Sequence, residues 1–136
     1  MIIPAMTDTA PATPLTCLIV DDSPEFLEAA KRLLADDGVI VLGTAATADQ
    51  AVDEALARHP DVALIDVALG TESGVGVAQR LADLPQGGPP VILISAESQA
   101  ELAELVDASG AVGFVSKTDL SGDAIRSLLA GGKAPT

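Results

Sequence analysis

Cys17-Leu18-Ile19-Val20-Asp21-Asp22-Ser23-Pro24 is the stretch that decides the fold. Its apolar run predicts a short strand buried on both faces, ending at two aspartates. Ser23 then caps a helix and Pro24 sits in its first turn. Phe26, Leu27, Ala30, Leu33 and Leu34 give that helix one apolar face, and Gly38 ends it.

The same pattern recurs along the chain. Val39 to Leu42 reads as a second strand, followed by a helix that Thr47 and Gln50 open as a capping box and that runs to about Arg58. Val52, Ala55 and Leu56 are expected to face inward on it. Val62-Ala63-Leu64-Ile65 is a third strand ending at Asp66, and the Gly70 to Gly74 loop leads to a helix carrying Ala78, Leu81 and Leu84. After the turn at 86–90, Val91-Ile92-Leu93-Ile94 is a fourth strand ending at Ser95. Ser98 and Glu101 are expected to cap a helix with Leu102, Leu105 and Val106. Gly113-Phe114-Val115 starts a fifth strand that ends near Lys117, and a last helix from about Ser121 carries Ile125, Leu128 and Leu129. Strict alternation predicts a doubly wound five-stranded parallel sheet with helices on both faces.

Composition narrows the function. Seven basic residues against twenty acidic ones leave a net charge of −13, the opposite of a nucleic-acid-binding face. Phe26 and Phe114 are the only aromatic residues, too few for a base-stacking platform. The single Cys17 excludes an internal disulfide and a cysteine-built zinc site, and reads as a buried small hydrophobe. No apolar run is long enough to span a membrane, and the start lacks a signal-peptide pattern. The expected organisation is a leader at 1–15, one domain at 16–130 and a tail at 131–136, in the cytoplasm. Met6 is an alternative start.

The polar residues gather at strand ends. Asp21 and Asp22 follow the first strand, Asp66 the third, Ser95 the fourth and Lys117 the fifth. Open parallel sheets bind ligands at their carboxyl ends, where the strand order reverses. In the order 2-1-3-4-5 that point lies between strands one and three, which carry the aspartates. Three carboxylates repel one another, and a divalent cation relieves this; three negative charges, one Mg²⁺ and one lysine sum to zero. Mg²⁺, a lysine and a hydroxyl make a place for a phosphoryl group, with Asp66 as the nucleophile that forms an acyl phosphate.

On these residues the sequence resembles a response-regulator receiver domain of two-component signalling. The resemblance runs from about Thr16 to Leu129 and rests on Leu18 to Asp22, Val62 to Asp66, Ser95-Ala96 and Gly113 to Lys117. It implies a flavodoxin-like (βα)5 fold. It also implies that Asp66 accepts a phosphoryl group from a sensor histidine kinase or phosphotransfer protein. Asp21, Asp22, Asp66 and the backbone carbonyl of Ala68 would hold Mg²⁺. Ser95 would move toward the phosphate, Phe114 would swing inward with it, and Lys117 would pair with the phosphate. The output would be a shift of the face built from helix four, strand five and helix five, toward a partner or an attached output; a weak homodimer through that face is open.

Some positions depart from the family. Gly70 stands where a proline is frequent, and Thr118 follows Lys117 where a proline in a cis bond is frequent, so a trans bond is expected. Ala68 and Glu97 occupy positions that tune phosphate lifetime in the family.

Blander readings stand beside these. Taken alone, Asp21-Asp22 is a helix-start pair, Asp66 and Ser95 are turn residues, and Lys117 is a surface lysine; their shared placement at strand ends argues otherwise. His59 reads as an exposed helix-end residue, and Gly70 to Gly74 lacks the ending of a P-loop. Two other functions compete. One is a phosphorylation-independent interaction scaffold. The other is a metal-dependent phosphatase, which Ala68 disfavours by standing where a general acid would be needed. The chain is either a single-domain regulator or a piece of a longer protein.

Overall fold

The computed structural model describes residues 14–70, 72–96 and 102–131. In chain order the elements are β1 (Leu15–Val20), α1 (Pro24–Asp36), β2 (Val39–Ala45), α2 (Ala48–Arg58), β3 (Val62–Asp66), β4 (Ala68–Leu69), β5 (Glu72–Ser73), α3 (Gly74–Ala82), β6 (Val91–Ser95), α4 (Leu102–Ser109), β7 (Gly113–Ser116) and α5 (Gly122–Leu129). A short 3₁₀ turn, Lys117–Asp119, joins β7 to the approach of α5. The main sheet has the order β2-β1-β3-β6-β7, and all its pairings are parallel. This is the doubly wound order expected from the alternating pattern.

The central strands carry no polar face. Every residue of β3 and of β6 is buried, including the terminal Asp66 and Ser95. Layers of helix on both sides explain this, since a strand sandwiched twice has no solvated side. One layer of core joins the sheet to α2 and α3 through Ala51, Ala55, Val77 and Leu81, with Leu105 and Val106 of α4 beside it. The other joins it to α1 and α5 through Ala30, Leu34, Ile125 and Leu128. Each fully buried aliphatic side chain contributes roughly 1.5–3 kcal/mol.

The helix starts follow the sequence. Ser23, Thr47 and Ser121 each accept a backbone N–H in the first turn of α1, α2 and α5. The expected caps Ser98 and Glu101 of α4, the leader residues 1–13 and the tail residues 132–136 lie outside the described residues. His59 is exposed and left-handed (φ 51°) at the end of α2.

Three expectations need correction. Leu33 is 42% exposed and Leu56 is 49% exposed. On α1 the burial is carried by Ala30 and Leu34, one turn apart, and each further residue turns about 100° round the axis. On α2 the alanines 48, 51 and 55 face the sheet, and Leu56 lies on the shoulder of that stripe. Leu84, expected on the third helix, lies beyond its end at Ala82, although it still packs against the core. In the segment after β3, β4 and β5 pair antiparallel.

α1 and α5 grip one another. The Gly122 N–H donates to Asp37 Oδ2 at 2.8 Å, and Arg126 Nη2 donates to the Asp37 carbonyl oxygen at 2.8 Å. A side chain from the end of α1 thus caps the start of α5, and a side chain of α5 satisfies a carbonyl at the end of α1.

Candidate functional site

β1 and β3 lie side by side, with Val20 in register with Ile65, so the residues that follow them meet at the carboxyl edge of the sheet. Asp21, Asp22 and Asp66 each bring a carboxylate oxygen within 4.8 Å of the others. Asp21 is completely buried, Asp66 is 8% exposed, and Asp22 is exposed. Asp21 is fixed by its N–H, which donates to the Ala45 carbonyl at 2.9 Å, and by its Oδ1, which accepts from the Ser23 N–H at 2.8 Å. Asp66 Oδ1 accepts from the Ala68 N–H at 3.2 Å.

Lys117 reaches into this group from the end of β7. Its Nζ lies 2.7 Å from Asp21 Oδ2 and 3.2 Å from Asp66 Oδ2, where it donates a hydrogen bond. At Asp21 the contact is the shorter of the two ion pairs. Asp21 Oδ2 is buried, and Lys117 is the partner that neutralises it. Three carboxylates with oxygens within 4.8 Å of one another, two of them buried, fit a hard divalent cation that takes oxygen ligands.

The electrostatics follow from burial. Asp66 is held above the ordinary carboxylate range, chiefly by burial and also by the charge on Asp21; the Ala68 N–H and Lys117 pull it back only in part. Burial opposes the charge on Lys117, but pairing with Asp21 and Asp66 outweighs it and raises the ammonium above its usual value. Among the described residues, three carboxylates therefore share one lysine for neutralisation.

Of the residues singled out in the sequence, Asp21, Asp22, Asp66 and Lys117 come together. Ser95 ends β6 beside β3, one residue past Ile94, the register partner of Asp66. Ala68 is exposed and begins β4. Phe114 is half-buried on β7, in register with Leu93, and packs against the core on the α2–α4 side. It sits below the carboxylates rather than among them. Glu97 lies outside the described residues. The peptide bond from Lys117 to Thr118 is trans, and the hydroxyls of Ser116 and Thr118 stand 2.8 Å apart across the lysine.

Three contributors were not assigned to the site from sequence. A Cβ at Gly74 would overlap the Asp66 carbonyl oxygen, so only glycine lets α3 start this close to β3. Glu72 sends Oε1 to the Ala48 N–H at 2.8 Å and so ties the loop after Asp66 to the start of α2. The ring of Phe26 lies under Lys117, with Nζ 4.4 Å from its centroid. An aromatic in the first helical turn after the Asp pair, in a chain with two aromatics, was the available signal for the last of these.

No helix among the described residues is long and apolar enough to cross a membrane. The profile of the response regulator receiver domain matches residues 17–128. A protein-glutamate methylesterase/protein-glutamine glutaminase of Syntrophomonas wolfei is 39% identical over 105 residues, which cover 76% of this chain and 30% of that protein. The transcriptional regulatory protein PdtaR of Mycobacterium tuberculosis is 27% identical over 111 residues, covering 82% of this chain and 53% of PdtaR. The chain thus spans about half or less of the length of these curated relatives. Among solved structures, the signal receiver domain of a modulated diguanylate cyclase from Desulfovibrio desulfuricans superposes with a TM-score of 0.72 at 28% identity, over 88% of this chain and 94% of that one. A LuxR-family two-component response regulator from Aurantimonas gives 0.78 at 23% identity over 90% of each chain, a likeness of fold alone. With the matched stretch running from β1 to α5, the chain belongs to the response regulator receiver domain family.

Proposed function

We propose that this chain is a phosphoacceptor switch whose acceptor is Asp66, with residues 16–130 as the receiver unit in the cytoplasm. The observation that carries the reading is the meeting of three carboxylates and one lysine at the ends of β1, β3 and β7, with Lys117 bridging Asp21 and Asp66.

An Asp66 oxygen attacks the phosphorus of a phosphohistidine on a sensor histidine kinase or phosphotransfer protein. A P–O bond forms, the P–N bond breaks, and the imidazole leaves with the electron pair. Asp21, Asp22, Asp66 and the Ala68 carbonyl are the residues to hold Mg²⁺, which when bound offsets the negative charge of the phosphoryl oxygens. Lys117 pairs with one of those oxygens, and the Ser95 hydroxyl donates to another. Phe114, two residues along β7 from Ser116, shifts with Ser95. The face made of α4, β7 and α5 then changes packing and with it the affinity for an output partner.

Intact-mass spectrometry after treatment with acetyl phosphate tests this. The expected result is one phosphoryl adduct that requires Mg²⁺ and vanishes in Asp66→Asn. An adduct that persists in Asp66→Asn, or that forms equally well in chelator, overturns the assignment.

A further inference from the structure

Lys117 is held on three sides, and only two of them are carboxylates. The third is the face of Phe26, 4.4 Å from Nζ. An aromatic face carries negative electrostatic potential and attracts an ammonium placed over it. The backbone that carries the ring is anchored at the helix start. The Phe26 N–H donates to Ser23 Oγ at 3.2 Å, and the Ser23 N–H donates to Asp21 Oδ1 at 2.8 Å. Asp21, Ser23, Phe26 and Lys117 therefore close a circuit, which returns to Asp21 through the 2.7 Å ion pair.

The two carboxylate partners of Lys117 are both contested. Asp21 and Asp66 also belong to the cluster that fits a divalent cation. Occupation by a cation draws on Asp21, and conversion of Asp66 to an acyl phosphate changes the other partner. The Phe26 face is the neighbour that neither event removes.

We propose that Phe26 is a positioning residue that keeps Lys117 Nζ over the acceptor while its carboxylate partners are reassigned, and that it acts through its ring face rather than its bulk. The kinetic consequence rests on the phosphoacceptor reading of Asp66; the contact itself does not.

The test compares Phe26→Leu, which keeps an apolar side chain of similar reach, with Phe26→Tyr, which keeps the face. The initial rate of Mg²⁺-dependent labelling by acetyl phosphate should fall roughly three- to tenfold in Phe26→Leu and stay within about twofold in Phe26→Tyr. A second readout needs no phosphorylation. The ring should shift the ε-methylene protons of Lys117 upfield in NMR spectra, the signal being assigned by its loss in Lys117→Arg. That shift should persist in saturating Mg²⁺ in the wild type and in Phe26→Tyr, and be missing in Phe26→Leu. Equal labelling of wild type and Phe26→Leu, or a wild-type methylene that returns to its ordinary position when Mg²⁺ is added, overturns the proposal. Absence of labelling in the wild type overturns the phosphoacceptor reading instead, and the NMR shift then decides the role of Phe26 alone.

Discussion

Lys117 Nζ stands closer to Asp21 Oδ2, at 2.7 Å, than to Asp66 Oδ2, at 3.2 Å. The lysine thus neutralises first the carboxylate that is completely buried. Removing it in Lys117→Ala strands that charge. Breaking a buried pair costs about 3–5 kcal/mol; the Lys117 side chain keeps 18% of its exposure, so roughly 2–4 kcal/mol is expected here. Denaturant melts in chelator measure this loss. A divalent cation serves the same carboxylates, so Mg²⁺ should raise the melting temperature of Lys117→Ala more than that of the wild type. An equal rise in both would mean that lysine and cation do not share Asp21.

Asp66 sets a pH dependence with a definite sign. Its folded-state pKa lies above the unfolded value, chiefly through burial, so the folded chain binds its proton more tightly. The stabilisation from this group is complete below the unfolded pKa and is lost as pH rises through the raised one. At neutral pH an ionised Asp66 therefore works against folding. Asp66→Asn should melt a few degrees higher than wild type at pH 7 in chelator, and the gap should close as the pH is lowered through the carboxylate range. A variant that melts lower at pH 7 would show that the pairing with Lys117 outweighs burial.

Two glycines of α3 make a matched pair. Gly74→Ala drives a methyl into the Asp66 carbonyl oxygen and the backbone of Val67, while Gly76 has open space around it. Gly74→Ala should cost about 1–3 kcal/mol as an overpacked site and lower labelling of Asp66 with it. Gly76→Ala should stabilise by roughly 0.5–1 kcal/mol through helix propensity. Chemical denaturation of the two variants side by side separates the close approach from the general effect of adding a Cβ.

Glu72 is a cap supplied from another segment. Its carboxylate serves the Ala48 N–H at 2.8 Å, alongside the cap from Thr47. Glu72→Ala should lose about 1 kcal/mol and Glu72→Gln less, because the amide oxygen still accepts. Hydrogen exchange at Ala48 should accelerate in the alanine variant alone.

Cys17 is fully buried, and burial pushes its thiol up to about 12. It should resist alkylation at pH 8 in the folded chain and react at once in denaturant. Rapid labelling of the folded chain would place β1 closer to solvent than the structure does.

Much of this was legible in the residues. Val62 to Asp66 and Val91 to Ser95 announce doubly covered strands by being apolar throughout, and the caps Ser23, Thr47 and Ser121 announce where helices begin. The carboxylates and Lys117 could be placed because a parallel sheet sends every strand end to one edge. What stayed hidden is of another kind. Two-residue strands such as Ala68–Leu69 have no period to detect. Leu33 and Leu56 look inward to any pattern that counts apolar residues, and only the packing of alanines against the sheet turns them out. The contacts of Phe26 with Lys117 and of Asp37 with α5 join residues far apart in the chain, and no local rule reaches them.

The grip of Asp37 on Gly122 and Arg126 bears on how a signal would travel. The clasp takes in both ends of this short helix, from Gly122 at its first residue to Arg126 in its last turn. Any rearrangement of α5 that preserves the clasp keeps both Gly122 and Arg126 beside Asp37. Sliding along the sheet would require both polar contacts to break at once. α5 is thereby tied to α1, the helix whose other end begins beside the acidic cluster.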